Sequence, residues 1–353
     1  MSDSYHKSTE TQSILKLRAL QKDLPPFAAE FFRGLTDYTS ARTRLGYAYD
    51  LKIFFTYLSE DVSPKNPRDF TLKDLALLTA DDIEGFMEYL TYYLKQKLDD
   101  TGMSEVAIQN DALGKSRKLA AVRTMFKYFY GKGKIPANPA ELVGFPKLRE
   151  KAITTLESNE VAQLLDLVES GEKLTAKQQH YHQHTKIRDV AIITLLLGTG
   201  MRVSECVGLN LLDLDFDVNG VKVTRKGGDE MILYFGQEVT DALQDYLAMR
   251  EDAEIKAGHE QALFLSMQNR RITDRSVQNL VKKYASLVTT LKNISPHKLR
   301  STFGTQLYQE TQDIYLVANV LGHADVNTTR KHYAKMDDEQ RRRAANAVKL
   351  RKD

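Results

Sequence analysis

Cysteine is almost absent from this sequence, since Cys206 is the only one, and long apolar runs are missing as well. A single cysteine excludes a disulfide framework within the chain and suits a reducing cytosol. The longest apolar run, residues 190–197, is far shorter than the roughly 20 residues that a membrane-spanning helix needs. The polar N-terminal segment has no apolar stretch typical of a secretory signal. We therefore expect a cytoplasmic protein without a membrane partner, in which Cys206 is a small packing residue.

Glycine, proline and net charge are also modest. The 353 residues include 19 Gly and 8 Pro, and 42% of the chain is hydrophobic, which excludes fibrous and disordered classes. This length favours two domains. The formal net charge of +3 says little about partners. Locally, however, residues 115–134 contain seven basic residues and no acidic one, which indicates either a solvated helix face or a stripe that contacts phosphate.

Hydrophobic periodicity predicts the domain organisation. Residues 40–60, 79–97 and 115–134 have the spacing of long helices, and no convincing strand interrupts them. Prolines then punctuate a predicted linker. We expect these parts: an N-terminal extension over 1–24, a helical bundle over 25–135, a linker over 136–155, a second domain over 156–336 and a C-terminal tail helix over 337–353.

The period changes once within the second domain. Residues 213–235 alternate with a period of two, with turn signals at Asn219-Gly220 and at 226–229. This pattern predicts a small three-stranded antiparallel sheet in a mostly helical domain. The fold class is therefore mainly α, of the α+β kind.

A polar stretch over 169–188 contains three alternating histidines, His180, His182 and His184. On a strand, alternation would place them on one face as metal ligands, but no cysteine or paired carboxylate accompanies them. We interpret the stretch as a solvated loop and expect no metal site.

Six residues with complementary chemistry lie in short motifs of the second domain. They are Arg202 in GTGMRVSE, Lys226 at the second turn, His297 and Arg300 in PHKLR, His323 in LGHADV and Tyr333 in TTRKHYAK. Two arginines can bind the oxygens of a phosphodiester and neutralise charge in its transition state. A tyrosine hydroxyl can act as the nucleophile, a histidine can move its proton, and a lysine can protonate the leaving oxygen. Only His297 and Arg300, at i and i+3, are placed together by spacing.

In this order the motifs resemble the tyrosine recombinase (phage integrase) family, whose pattern is Arg, Lys, His-x-x-Arg, His or Trp, and Tyr. The resemblance covers about 153–340, and 40–58 is similar to the family's core-binding domain. It implies that all six residues are catalytic, with Tyr333 as nucleophile. It also implies a homotetramer on two sites in double-stranded DNA, with no metal, ATP or other cofactor. Length and the insertion at 169–188 look similar to single-component Xer recombinases, which resolve chromosome dimers.

Spacing and local charge indicate further candidate site residues. Glu205, one turn after Arg202, is a candidate to orient that arginine, or it pairs with a surface cation. The two domains are expected to close as a clamp around DNA, and the first would contact mainly phosphate. The candidates for that contact are Arg42, Arg44, Lys115, Arg117, Lys118 and Arg123.

One motif departs from the family, and alternatives remain. Relatives often have Gly-Lys-Gly where this chain has Arg225-Lys226-Gly227, so Lys222 on the preceding strand is a second candidate for the general acid. An integrase of a mobile element is an alternative role. A type IB topoisomerase would relax supercoiled DNA without a specific site, and a catalytically silent regulator would have no need for Tyr333. An accessory protein is left open as a further partner.

Overall fold

The computed structural model describes residues 3–99, 102–148, 154–225, 228–322 and 325–326. The chain divides into two compact units, Asp3–Lys151 and Ala152–Asp353. Within the described ranges, no helix has the length and apolar character required to span a membrane.

The first unit is a helical bundle with one β-hairpin. Side chains of Ser40, Thr71, Thr79 and Asp111 accept hydrogen bonds from backbone N–H groups in the first turns of four of its helices, as good N-caps do. Its elements are α1 Asp3–Gln21, α2 Ala28–Gly34, α3 Ala41–Tyr57, α4 Leu72–Leu77, α5 Ala80–Tyr89, β1 Tyr93–Asp99, β2 Gly102–Ile108 and α6 Ala112–Gly131.

Aromatic rings fill the core of this unit. Phe54 of α3 packs edge-on against Phe86 of α5 at 5.0 Å between centroids, and Phe27 packs in the same way against Phe129 of α6 at 5.4 Å. Edge-to-face pairs of this kind add about 0.5–1.5 kcal/mol beyond the burial of their area. The long helices are therefore held by their apolar faces, as the periodicity predicts.

Both ends of the first unit contain more packed residues than the sequence suggests. Helix α1 lies against α3, and Leu17 and Leu24 are buried in the core, so 1–24 includes a packed helix. Ala140 and Val143 are buried in the same core, so the beginning of the predicted linker is part of this unit. In both segments a few apolar side chains among polar ones decide the packing.

The β-hairpin was not expected, because 79–97 was predicted as one helix. Helix α5 ends at Tyr89, and β1 and β2 pair in antiparallel register from Tyr93↔Ile108 to Asp99↔Gly102. Gly102 has φ of +122°, a conformation that glycine adopts without strain. The buried Tyr93 ring stacks on that of Tyr89 at 5.1 Å, which attaches the hairpin to the end of α5.

The second unit is mostly helical and contains the predicted sheet. Helix α8 contacts α7, α10 and α12, and its residues 191–197 are buried. The elements are α7 Ser158–Ser170, α8 Ala176–Thr199, α9 Val203–Gly208, β3 Leu214–Asp215, β4 Gly220–Thr224, β5 Glu230–Tyr234, α10 Gln237–Glu251, α11 Asp274–Val288, α12 Pro296–Thr311 and α13 Ile314–Leu321.

The sheet confirms the prediction from the period of two. Its strands are antiparallel in the order β3-β4-β5, with Val221 opposite both Leu214 and Leu233. Asn219 has φ of +49° in the turn between β3 and β4, as the Asn-Gly signal indicates. The fold class predicted from the sequence is confirmed.

The interpretation of the histidine-rich stretch as a loop was wrong. His180, His182 and His184 lie in α8, which begins after a capping box between Thr175 and Gln178. His182 is buried, and its Nε2 lies 2.8 Å from the carbonyl oxygen of Val168. A polar stretch with a good N-cap can form a helix when one of its side chains is satisfied inside the core.

Candidate active site

Arg202 lies where α8 ends and α9 begins. Helix α8 stops at Gly200, whose φ of +62° and close approach to the ring of Phe303 both require glycine. Glu205 is buried and accepts two hydrogen bonds from Arg202, one from the backbone N–H at 2.8 Å and one from Nη1 at 2.7 Å. The side chain of Arg202 is 37% exposed. Glu205 thus fixes one side of the guanidinium and leaves part of it accessible.

His297 and Arg300 lie in the first turns of α12, which begins with Pro296. His297 is exposed, whereas Arg300 is buried. Arg300 donates from Nη1 to the carbonyl oxygen of Gly200 at 2.7 Å, and from Nη2 to the carbonyl oxygen of Leu321. This one side chain therefore joins the end of α8 to the end of α13.

The carboxyl end of α13 receives three guanidinium groups on three successive carbonyl oxygens. Arg225 donates to Val320 at 2.8 Å, Arg300 donates to Leu321, and Arg202 Nη2 lies 3.5 Å from the oxygen of Gly322. Free carbonyl groups at the end of a helix carry partial negative charge and favour cations. His323 follows directly in the sequence. The GTGMR, HKLR and LGH motifs therefore converge, although spacing alone could not bring them together.

Arg225 is the member of this group that the sequence did not identify. Burial lowers the pKa of its guanidinium; the carboxylate of Glu205 opposes that shift, and the charge of Arg202 adds to it. Arg202 and Arg225 are thus close enough to repel each other, with Glu205 as the compensating anion. The sequence offered one signal for it, since Arg225 directly precedes the predicted Lys226.

Three predicted catalytic residues, Lys226, His323 and Tyr333, lie outside the described residues. The second candidate for the general acid, Lys222, lies on β4 with its Nζ 3.4 Å from a carboxylate oxygen of Glu230. The choice between Lys226 and Lys222 is therefore left to experiment.

Cys206 is fully buried in α9, as expected for a packing residue. Burial raises the pKa of its thiol, which keeps it protonated and unreactive. Among the residues that the structure describes, no group of three His, Cys, Asp or Glu side chains has the arrangement needed to hold a metal ion.

The six predicted phosphate contacts of the first unit differ in exposure. Arg42 and Arg117 are exposed, and Lys115 and Arg123 are half-buried. Arg44 and Lys118 are buried and donate to Thr36 at 2.7 Å and to Asn110 at 2.6 Å. These hydrogen bonds hold both side chains within the first unit.

The second unit thus gathers three arginines at one helix end in a mostly helical fold with a small sheet, and comparisons with known proteins identify its family. The model of the Phage integrase family matches residues 154–340, slightly more than half of the chain. Tyrosine recombinase XerC of Caldanaerobacter subterraneus subsp. tengcongensis is 32% identical over 334 residues, covering 91% of this chain and 86% of that protein. The chain belongs to the phage integrase (tyrosine recombinase) family.

Other relatives span nearly the whole chain. Tyrosine recombinase XerS of Lactococcus lactis subsp. cremoris is 28% identical and covers 94% of this chain and 97% of that protein. Among solved structures, XerH site-specific recombinase bound to difH substrate has a TM-score of 0.61 at 21% identity, covering 87% of this chain and 79% of that one. This likeness shows a shared fold.

These relatives confirm the predicted family and the similarity to Xer recombinases. They support site-specific recombination as the activity, and they do not favour a mobile-element integrase or a silent regulator.

Proposed function

We propose that this recombinase cleaves and rejoins duplex DNA at specific sites through a covalent 3′-phosphotyrosyl bond to Tyr333. The observation that carries the proposal is the convergence of Arg202 and Arg300 on the end of α13. Arg300 is anchored to Gly200 at 2.7 Å, two residues before Arg202, so the two guanidinium groups are held in one region of the unit. Such preorganised donors suit a phosphodiester whose negative charge grows during reaction.

Each step then has a residue to perform it. The oxygen of Tyr333 attacks the scissile phosphorus, which Arg202 and Arg300 bind. The bond from phosphorus to the 5′ oxygen breaks as Lys226 gives that oxygen a proton, which leaves a 5′-hydroxyl. His297 accepts the proton of the tyrosine, and His323 donates a hydrogen bond to the phosphate. A 5′-hydroxyl from a partner strand then attacks the phosphotyrosine and releases Tyr333, so no ATP is consumed.

The proposal extends to the DNA contacts, the assembly and the cellular role of the protein. Double-stranded DNA would contact both the core-binding domain, 25–135, and the catalytic domain, 156–336. The phosphate contacts that exposure allows are Arg42, Lys115, Arg117 and Arg123. A homotetramer would assemble on two sites, with 337–353, outside the described residues, docking on a neighbouring subunit. The protein would act at the nucleoid in the cytoplasm, resolving chromosome dimers.

A covalent-adduct assay tests this function. The wild type and Tyr333→Phe are incubated without divalent metal with nicked duplexes that contain candidate sites from the source genome, and products are separated on denaturing gels. An adduct formed only by the wild type supports Tyr333 as the nucleophile. An adduct that persists in Tyr333→Phe would assign the chemistry to another residue.

Two further outcomes distinguish the alternatives. Specific binding without an adduct from either protein would point to a regulator or to a missing partner. Relaxation of supercoiled plasmid lacking any site, at the rate seen with a site, would point to a topoisomerase. Recombination between two sites on one plasmid is the result expected here.

A further inference from the structure

Arg225 connects the β4–β5 turn with the end of α13. It follows β4 and directly precedes Lys226, and its backbone N–H donates to the carbonyl oxygen of Asp229 at 2.7 Å across the β4–β5 turn. Its side chain reaches α13, where Nη2 donates to the carbonyl oxygen of Val320 at 2.8 Å. One residue thus bonds to the turn through its backbone and to α13 through its side chain.

Gly322 forms the seat for this guanidinium. A Cβ atom added at Gly322 would lie 1.0 Å from Nη1 of Arg225, so the arginine occupies the space that any other residue would fill. Gly322 also has φ of +60° and ends α13. The pairing is therefore specific in shape: a glycine at the end of α13 accommodates an arginine at the start of the turn.

Burial of the guanidinium in this seat is unfavourable for its charge. Arg225 is half-buried, its Nε is buried without a hydrogen-bond partner among the described atoms, and Arg202 lies near enough to lower its pKa. The bond to Val320 and the close approach to Gly322 are the contacts that hold the side chain there.

We propose that Arg225 is a positioning residue that latches the β4–β5 turn onto the end of α13 and so holds Lys226 where it protonates the leaving 5′ oxygen. This inference rests on the proposed function, in particular on Lys226 as the general acid. In the step concerned, the bond from phosphorus to the 5′ oxygen breaks and a proton passes from the Lys226 ammonium to that oxygen. Arg225 touches neither atom and acts only through the turn.

A substrate with sulfur in place of the 5′-bridging oxygen separates positioning from a general structural role. A thiolate leaves without protonation, so cleavage of this substrate does not need the general acid. With the ordinary oxygen substrate, Lys226→Ala should lose about 10²–10³-fold in rate, within the range of general-acid catalysis. Arg225→Ala should lose on the order of 10–10²-fold, as expected when a catalytic group is misplaced by about 1 Å.

The expected result is selective rescue by sulfur. Arg225→Ala and Lys226→Ala should both cleave the sulfur substrate within a few-fold of the wild type. Arg225→Lys keeps the charge and one donor and should lose less with oxygen than Arg225→Ala. Arg270→Ala removes an exposed arginine of the same unit as a matched control, and it should cleave both substrates at the wild-type rate.

The experiment distinguishes failure of the general-acid assignment of Lys226 from failure of the inference about Arg225. If sulfur does not rescue Lys226→Ala, the general-acid assignment is wrong, this inference falls with it, and Lys222→Ala becomes the variant to compare. If sulfur rescues Lys226→Ala, but Arg225→Ala is slowed equally with both substrates, Arg225 supports the fold or the phosphate and does not position the lysine. Cleavage of the oxygen substrate by Arg225→Ala at the wild-type rate would also overturn the inference.

Discussion

Arg300 donates a hydrogen bond from Nη1 to the carbonyl oxygen of Gly200 at 2.7 Å, although the two residues are 100 positions apart in the chain. This bond ties the HKLR motif to the glycine-rich stop before Arg202. The same guanidinium also reaches Leu321. A residue proposed for phosphate binding is therefore also a structural connection among three helix ends.

Replacing Arg300 by alanine should affect both chemistry and stability. Loss of one preorganised donor should slow adduct formation by about 10²–10³-fold, and each buried carbonyl left unpaired should cost about 1–3 kcal/mol. Rates on nicked DNA and chemical denaturation measure the two effects. Arg300→Lys keeps the charge but cannot bind two carbonyls in one plane, so most of the loss should remain. Wild-type rates in either variant would contradict the role.

Glu205→Gln tests whether the carboxylate orients Arg202. The hydrogen bond from Nη1 of the partly exposed Arg202 to the buried Glu205 joins two charged groups and should be worth about 1.5–3 kcal/mol. If that orientation serves catalysis, cleavage should fall about 10–10²-fold while DNA affinity in gel shifts stays nearly unchanged. A lower melting temperature with unaltered cleavage would show that Glu205 acts only structurally, as part of a helix cap.

Arg117 and Lys118 are neighbours in sequence with opposite exposure, so they form a matched pair for DNA binding. Arg117→Ala should weaken binding to all sequences and lower the slope of log affinity against log salt by about 1. Lys118→Ala should leave that slope unchanged and lower the stability of the first unit, because Lys118 is buried on Asn110. Equal slopes for both variants would contradict the assignment.

The Arg117 variant needs one precaution. Its guanidinium pairs with Asp50, which is buried, and burial raises the pKa of that carboxyl. Removing Arg117 alone leaves a buried charge without its partner. The salt dependence is therefore also measured in a variant that combines Asp50→Asn with Arg117→Ala.

Asp74 predicts a specific loss of stability in acid. Its carboxylate accepts from Lys65 and from Thr71 in the capping box of α4, which lowers its pKa from the ordinary 3.8 to about 2. Because the folded pKa is the lower one, the stabilisation is fully present above about pH 4 and is lost as pH falls toward 2. Asp74→Asn should destabilise the chain at pH 6, and the difference should shrink between pH 4 and pH 2.5. Asp69→Asn, a nearby exposed acid, serves as the control.

Removal of residues 337–353 tests the proposed assembly. The truncated chain should bind a single DNA site with wild-type affinity, but it should fail to bring two sites together and should not recombine them. Gel shifts, sedimentation with two-site DNA and plasmid recombination measure these properties. Unchanged recombination after truncation would exclude this segment from subunit docking.

Local sequence patterns were sufficient to predict the family and the fold class of this protein. Motif order identified the family, the period of two identified the sheet, and capping residues marked helix starts such as Thr79. Patterns of this kind depend only on neighbouring residues, which is why they can be read from the chain. They failed at 93–108, where two adjacent segments pair as a hairpin, and at His182, which is buried in a helix against the carbonyl oxygen of Val168.

The arrangement of the candidate site was decided by tertiary structure. The sequence placed His297 and Arg300 together, but only packing brought the ends of α8 and α13 onto the guanidinium of Arg300. Equally, a basic residue in sequence was no guide to exposure, since Lys118 is buried and Arg117 is not. Long-range contacts depend on how whole helices pack, and a helix offers its side chains to core and solvent within the same turn. The seat of Arg225 on Gly322 joins two residues 97 positions apart (322 − 225), and only the packed chain makes it.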